Sequence, residues 1–94
     1  MAYMLCRLKV EDYSKWESAF AKAIGVRQAA GSKGGYIFRN ADDPNEVLIL
    51  LECEDLGKFR QFMQSPELRE RMQESGAVGP PEVCFLEETD RPSA

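Results

Sequence analysis

The chain has no histidine among its 94 residues, which excludes His-based catalytic triads, haem ligation through histidine and most zinc sites. Its three cysteines, Cys6, Cys53 and Cys84, are odd in number and lack C-x-x-C spacing, so no metal is expected on them. Each falls in or at the end of an expected strand, where a reduced thiol acts as a small hydrophobe. Reduced thiols also fit a cytoplasmic setting. No G-x-S-x-G nucleophile turn, dinucleotide fingerprint, internal repeat or low-complexity tract is present. Gly31-Ser32-Lys33-Gly34-Gly35 resembles a phosphate loop only superficially: it lacks the G-x-x-x-x-G-K-S/T spacing and follows a helix instead of opening one. A helix cap and chain reversal is expected there.

Two further absences bound the partners. No stretch is long and apolar enough to span a bilayer, and the N-terminus lacks a charged region followed by an apolar signal segment. The expectation is a cytoplasmic protein without a membrane partner. The 12 basic residues are scattered against 16 acidic ones, for a net charge of −4. Nucleic acid is therefore not an expected partner either.

What the chain does have is Val47-Leu48-Ile49-Leu50-Leu51, five apolar residues without alternation, preceded by the turn-forming Asp42-Asp43-Pro44-Asn45 and followed by Glu52-Cys53-Glu54-Asp55. Such a run reads as a strand buried on both faces. A chain of this length makes one domain, expected over 1–88 with a loose tail at 89–94, and its helices suffice to cover one face of a sheet. A second copy of the chain is the simplest cover for the other.

The remaining elements follow from periodicity and punctuation. A strand is expected over 3–10, with Met4, Cys6, Leu8 and Val10 on one face. Glu11-Asp12 then opens a helix that runs to about Ala30 and stops at Gly31. Strands at 36–40 and 46–53 form a hairpin across the Asp-Asp-Pro-Asn turn. Asp55 caps a short helix carrying Leu56, Phe59, Phe62 and Met63. Ser65-Pro66-Glu67 restarts the helix with Leu68 and Met72 as its apolar positions. Gly76 ends it, Gly79-Pro80-Pro81 makes a rigid turn, and 82–87 is the last strand. The order β-α-β-β-α-β is ferredoxin-like: an α+β fold with a four-stranded antiparallel sheet and helices on one face.

Helix one carries the sharpest local signal. Tyr13, Trp16, Phe20, Ala23 and Ile24 form an inward stripe at helical spacing, and Arg27 continues it near its centre. A guanidinium there needs an acceptor, a water-filled pocket or an anionic ligand; alternatively it reaches out to solvent or binds the last helix carbonyls. Tyr13, Trp16, Phe20 and Arg27 would line one side of a helix–sheet cleft suited to a planar, electron-rich or anionic organic ligand. Trp16 is also an ordinary core residue by position. On strand two, Tyr36, Phe38 and Asn40 share one face and Ile37 and Arg39 the other, and the pattern does not say which meets the helices. Arg39 either pairs with Glu52 or Glu54 or serves the cleft as a second anion-binding group. RNA-recognition domains share this element order but place aromatics on strand three, where this chain has only aliphatics.

The series Val10-Glu11-Asp12-Tyr13, Trp16, Phe20, Arg27, Gly31-Ser32-Lys33-Gly34-Gly35, then Phe38-Arg39-Asn40-Ala41-Asp42-Asp43-Pro44-Asn45-Glu46-Val47, resembles small dimeric α/β-barrel proteins of the antibiotic biosynthesis monooxygenase superfamily. Ser65-Pro66-Glu67-Leu68 and Gly79-Pro80-Pro81-Glu82 fit the same group. The resemblance implies a homodimer formed by sheet faces, with a small organic ligand held between helices and sheet in each subunit. It also implies cofactor-independent oxygenation of an aromatic or polyketide-like substrate. Arg27 would then stabilise an anionic oxygen, Trp16 wall the substrate, and Tyr13 or Tyr36 donate a hydrogen bond, with Phe20, Phe38, Arg39 and Asn40 around the ligand. A non-catalytic ligand-binding or assembly module and a polyketide cyclase-like protein remain open readings. Haem-degrading relatives use a histidine where this chain has Met63, and many relatives carry a tryptophan where it has Cys53. Neither a metal nor a cofactor is expected.

Overall fold

Alternation along the first strand sets the architecture. The computed structural model describes residues 2–93. In β1 (Ala2–Val10), Met4, Cys6, Leu8 and Val10 are buried while Arg7 and Lys9 stay exposed. Side chains two apart share a face of a strand, so β1 alone commits one side of the sheet to a core. The sheet order is β2-β3-β1-β4, with β2 (Ser32–Asn40), β3 (Asp43–Cys53) and β4 (Ala77–Glu87), every neighbouring pair antiparallel. This is the ferredoxin-like α+β arrangement. Met4, Cys6 and Leu8 pair with Leu51, Ile49 and Val47. These residues, with Cys53, form the sheet's contribution to the core.

Helix one divides in two. α1 (Tyr13–Lys22) and α2 (Ile24–Ala29) are separated at Ala23, whose ψ of 14° leaves the helical range. The Ala23 amide bonds the Phe20 carbonyl, a tighter turn than the α-helical step. The break corrects the continuous helix expected to Ala30. It also turns Ile24 outward to 55% exposure, where the helical wheel placed it inward. Asp12 caps α1, its Oδ1 accepting from the amides of Ser14 at 3.0 Å and Lys15 at 3.4 Å. Gly31, at φ 98°, ends α2 in the left-handed region that glycine adopts without strain.

The second half follows its punctuation closely. Asp55 caps α3 (Leu56–Met63) through the Lys58 amide, and Ser65 caps α4 (Pro66–Glu74) through the Leu68 amide, with Pro66 in the first turn. Only two helical side chains are fully sunk in the core, Trp16 from α1 and Phe59 from α3. α2 and α4 bury none. Burying a large apolar side chain contributes roughly 1.5–3 kcal/mol, so α1 and α3 are the anchored helices and α2 and α4 the loosely held ones.

The strands are longer than their apolar runs suggest. β2 begins at Ser32 and crosses Gly34-Gly35 with a shift of register, so this segment is bulged strand and not only a chain reversal. Gly35 is required: a Cβ there would lie 1.9 Å from the Leu50 carbonyl oxygen. The hairpin turn falls on Ala41-Asp42, because Asn40 pairs with Asp43. Asn40 Oδ1 accepts from the Asp42 amide at 2.8 Å and closes it. Gly79-Pro80-Pro81, expected as a turn between elements, is instead a bulge inside β4, between Val78 and Glu82. β4 is an edge strand, where proline's missing amide costs no ladder bond.

Candidate ligand-binding site

Between the sheet and the four helices lies an interior cavity of about 80 Å³. Its floor is Met4, Cys6, Leu8, Ile49 and Leu51, and its roof includes Trp16, Phe20, Phe59, Phe62, Met63 and Met72. Arg27 is on the wall, and it also borders an outer mouth of about 360 Å³ formed with Ile24, Gln28 and 32–37. The Ala23 break positions this side chain. From the first turns of α2, the guanidinium reaches back to donate to the Phe20 carbonyl at the end of α1, and it stacks 3.7 Å from the Phe20 ring centroid. The contact differs from the expected one with the carbonyls at the Ala30 end: Arg27 reaches back seven residues to Phe20, and it also faces the cavity.

The electrostatics at this junction are one-sided. Arg27 has no carboxylate partner among the described residues, and burial pushes its pKa below the usual arginine value. A half-buried cation held by one carbonyl and one aromatic face keeps donors available for an anion. The cavity supplies no base. Its titratable members are Arg27, Arg71 and Cys6, and burial pushes the Cys6 thiol up to about 11. A thiol with that pKa stays protonated near neutrality and is a poor nucleophile.

The remaining expected site residues divide between the two sides of the sheet. Trp16, stacked on Phe20 at 5.0 Å, and Phe20 itself line the cavity. Tyr13 does not: its ring is 5.9 Å from Trp16 and lies under the Arg39 guanidinium at 4.4 Å, outside the cavity wall. A hydrogen bond to Glu17, with burial adding to it, raises the Tyr13 pKa. Arg39 is therefore on the helix side, but it caps Tyr13 and makes no ion pair with Glu52 or Glu54. Tyr36 borders the mouth, yet its register opposite Leu50 puts it with Phe38 on the far face, the rings 5.8 Å apart. Asn40 donates to Glu46 at 3.0 Å on that same face. Phe38 and Asn40 thus lie away from the cavity, since one residue of register moves a side chain through the sheet.

Sequence reasoning left out half of the roof. Phe59, Phe62, Met63, Leu68 and Met72 were legible as apolar helix positions but not as cavity wall. Met63 is part of that wall. No cluster of three or more potential metal ligands occurs among the described residues.

No known family profile and no curated protein matches the chain. Solved structures do. A candidate antibiotic biosynthesis monooxygenase from Bordetella bronchiseptica superposes with a TM-score of 0.77 at 18% identity, covering 94% of this chain and 96% of that one. SnoaB, a cofactor-independent oxygenase from Streptomyces nogalater, gives 0.76 at 15% identity over 99% and 97%. A candidate antibiotic biosynthesis monooxygenase from Deinococcus radiodurans gives 0.62 at 12% over 100% and 98%. Identities this low speak for the fold and not for the reaction. In fold, the chain resembles the antibiotic biosynthesis monooxygenase-like proteins along nearly its whole length.

Proposed function

We propose that this protein binds a small anionic organic molecule at Arg27, and that it promotes cofactor-independent oxygenation of an aromatic or polyketide-like substrate. The observation that carries the reading is the half-buried Arg27 guanidinium, without a carboxylate partner among the described residues, at the junction of an aromatic-walled cavity and its mouth. A fold shared with a cofactor-independent oxygenase is compatible with that reaction class, and the reaction itself rests on the Arg27 site.

The absence of a base in the cavity constrains the chemistry. The substrate must ionise by itself, as a phenol or hydroxyanthracene does, with Arg27 stabilising the resulting oxyanion. The electron-rich ring then reacts with dioxygen. Counted from the neutral keto tautomer (the anthrone form of a hydroxyanthracene), the ring methylene loses two hydrogens and gains one oxygen as a carbonyl, while the second oxygen leaves as water. Trp16 and Phe20 hold the ring and exclude solvent. Ligand sites usually span about 300–1,000 Å³, so a planar substrate fills the mouth and inserts one edge past Arg27 into the cavity. A ligand that does not ionise would be bound without turnover, which is the non-catalytic alternative.

The test is oxygen uptake with hydroxyanthracene-type compounds. Arg27→Ala is expected to lower the rate by about 100-fold, the loss typical of removing one oxyanion donor. A rate with protein no higher than without it would retire the enzyme reading.

We also propose a homodimer through the open face of the sheet. Leu5, Leu48 and Leu50 are half-buried there, beside Tyr36 at 63%, Phe38 at 51% and Leu86 at 39% exposure. A contiguous apolar patch of this kind marks an association surface. A second copy covers it with the same residues, as a two-fold interface requires.

A further inference from the structure

The interior cavity has a second neighbour. At the other end of the sheet, a cleft of about 740 Å³ is lined by Leu8, Met63, Met72, Ala77, Pro81 and Val83, with Arg69 and Gln73 at its rim. Leu8, Met63 and Met72 belong to both the cleft and the cavity. Two features of the chain produce it. The Gly79-Pro80-Pro81 bulge interrupts the pairing of β4 with β1 between Val78 and Glu82. α4, which buries no side chain, leaves Val83 at 37% exposure although it shares the core face with Cys6.

The geometry points to a through-site for an elongated amphiphile: an anionic head at Arg27, and an aliphatic chain that runs over Leu51 and Leu8, between Met63 and Met72, into the bulge cleft. The inference rests on the reading of the Arg27 cavity as the ligand site, and it adds a medium-chain carboxylate, which carries no ring to oxygenate and binds there without turnover. Its wall chemistry favours a chain. Where cavity and cleft meet, the shared wall is Leu8, Met63 and Met72, and methionine is the side chain that adapts its shape to fill or vacate a gap. The two methionines between cavity and cleft hang from α3 and the loosely held α4, so parting them costs little anchored core. Length is set by the sheet. Leu51 pairs with Met4, and four residue steps along β1 to Leu8 span about 13 Å at roughly 3.3 Å each. That is about the reach of decanoate.

Calorimetric titration with hexanoate, octanoate, decanoate and dodecanoate tests this. Affinity is expected to rise about fourfold per added methylene, the value for burying a CH₂, and to level off beyond decanoate. Val83→Phe, which fills the cleft from the edge strand, should level the series at octanoate and leave hexanoate binding as it is. Gln73→Phe, on an exposed helix position, provides the same block should the strand variant misfold; circular dichroism establishes folding for both. Arg27→Leu should weaken every member equally. A wild-type series with no gain beyond hexanoate overturns the inference, as does a gain that both folded cleft variants retain. If hydroxyanthracenes still bind while the carboxylate series is flat, only the through-site fails. If neither ligand class binds and Arg27→Leu changes nothing, the Arg27 site fails with it.

Discussion

The two faces of the sheet are built by the same strands from nearly the same amino acids, yet only one is completed within the chain. On the helix face, Met4, Cys6, Val47, Ile49, Leu51 and Cys53 are at most 5% exposed. On the other, Leu5, Leu48 and Leu50 are half-buried, and Tyr36 and Phe38 stand out from an edge strand. The difference is not hydrophobicity but what lies above. Trp16 and Phe59 descend from two helices onto one face, whereas among the described residues no helix covers the other, which Arg91 reaches through a hydrogen bond to Tyr3. An uncompleted apolar face in a chain this small is a statement about assembly. The completed face, which leaves Arg27 without a carboxylate partner beside a small cavity while Arg71 pairs with Glu67, is a statement about ligands.

The sharpest way to break this contrast is to remove a peg from the completed face. Phe59→Ala should cost about 3–5 kcal/mol of unfolding free energy, read by chemical denaturation, because Phe59 is fully buried and stacks edge-on to Phe62 at 5.4 Å. A loss below about 1 kcal/mol would mean that the helix layer is not packed as described. The mirror experiment on the open face is Leu50→Glu. Its direct effect on the folded subunit should stay below about 1 kcal/mol, whereas two facing charges across a two-fold axis weaken association by at least about 100-fold. Sedimentation should show dimer turning to monomer at micromolar concentration. Cys84, which pairs with Leu5 on the same face and is exposed in the single chain, gives an independent readout. It should alkylate slowly in the wild-type dimer and rapidly in the variant, while Cys6 and Cys53 stay protected in both. A wild-type chain that is already monomeric ends the dimer proposal.

How much of this was legible varies with the kind of signal. The helix start at Glu11-Asp12, the caps at Asp55 and Ser65, the glycine stop at Gly31, the apolar strand over 47–51 and the element order are local or periodic, and the structure retains them. Leu48 and Leu50, however, are only half-buried where burial on both faces was expected. The break at Ala23 was not read from the sequence: no proline marks it, and the one weak helix former nearby, Gly25, lies two residues further on. It arises where the chain must leave α1 and redirect α2 toward β2. The extent of β2 and β4 was missed because glycine and proline signal turns, whereas here they sit in bulges that only strand pairing reveals. The side occupied by Tyr36, Phe38 and Asn40 depended on one step of register, which both faces tolerated because both carry apolar residues. Arg27 was identifiable because a guanidinium on an apolar stripe conflicts with its surroundings. The methionine wall was not, because Met63 and Met72 agree with theirs.

The open face is not uniformly apolar, and its polar end offers the finest test of the contrast. Glu46 is buried there at 6% exposure, accepting from Arg7 Nε and Asn40, and Lys9 bonds Asp43 at 2.6 Å beside it. The hydrogen bond from Arg7, followed by that from Asn40, holds the Glu46 carboxyl below its ordinary pKa of 4.5. A depressed carboxyl pKa stabilises the fold fully above the unfolded value. The contribution declines as pH falls through 4.5 and is gone below the folded pKa. Glu46→Gln removes this titration. The variant should be less stable than wild type at pH 7 and converge on it in acid, with a shallower slope on the acid limb of stability against pH. Because the Arg7 side chain is largely exposed, the difference at pH 7 should also shrink in high salt. Parallel curves for the two proteins between pH 7 and acid would show that the ion pair adds nothing, leaving the open face held by its apolar residues alone.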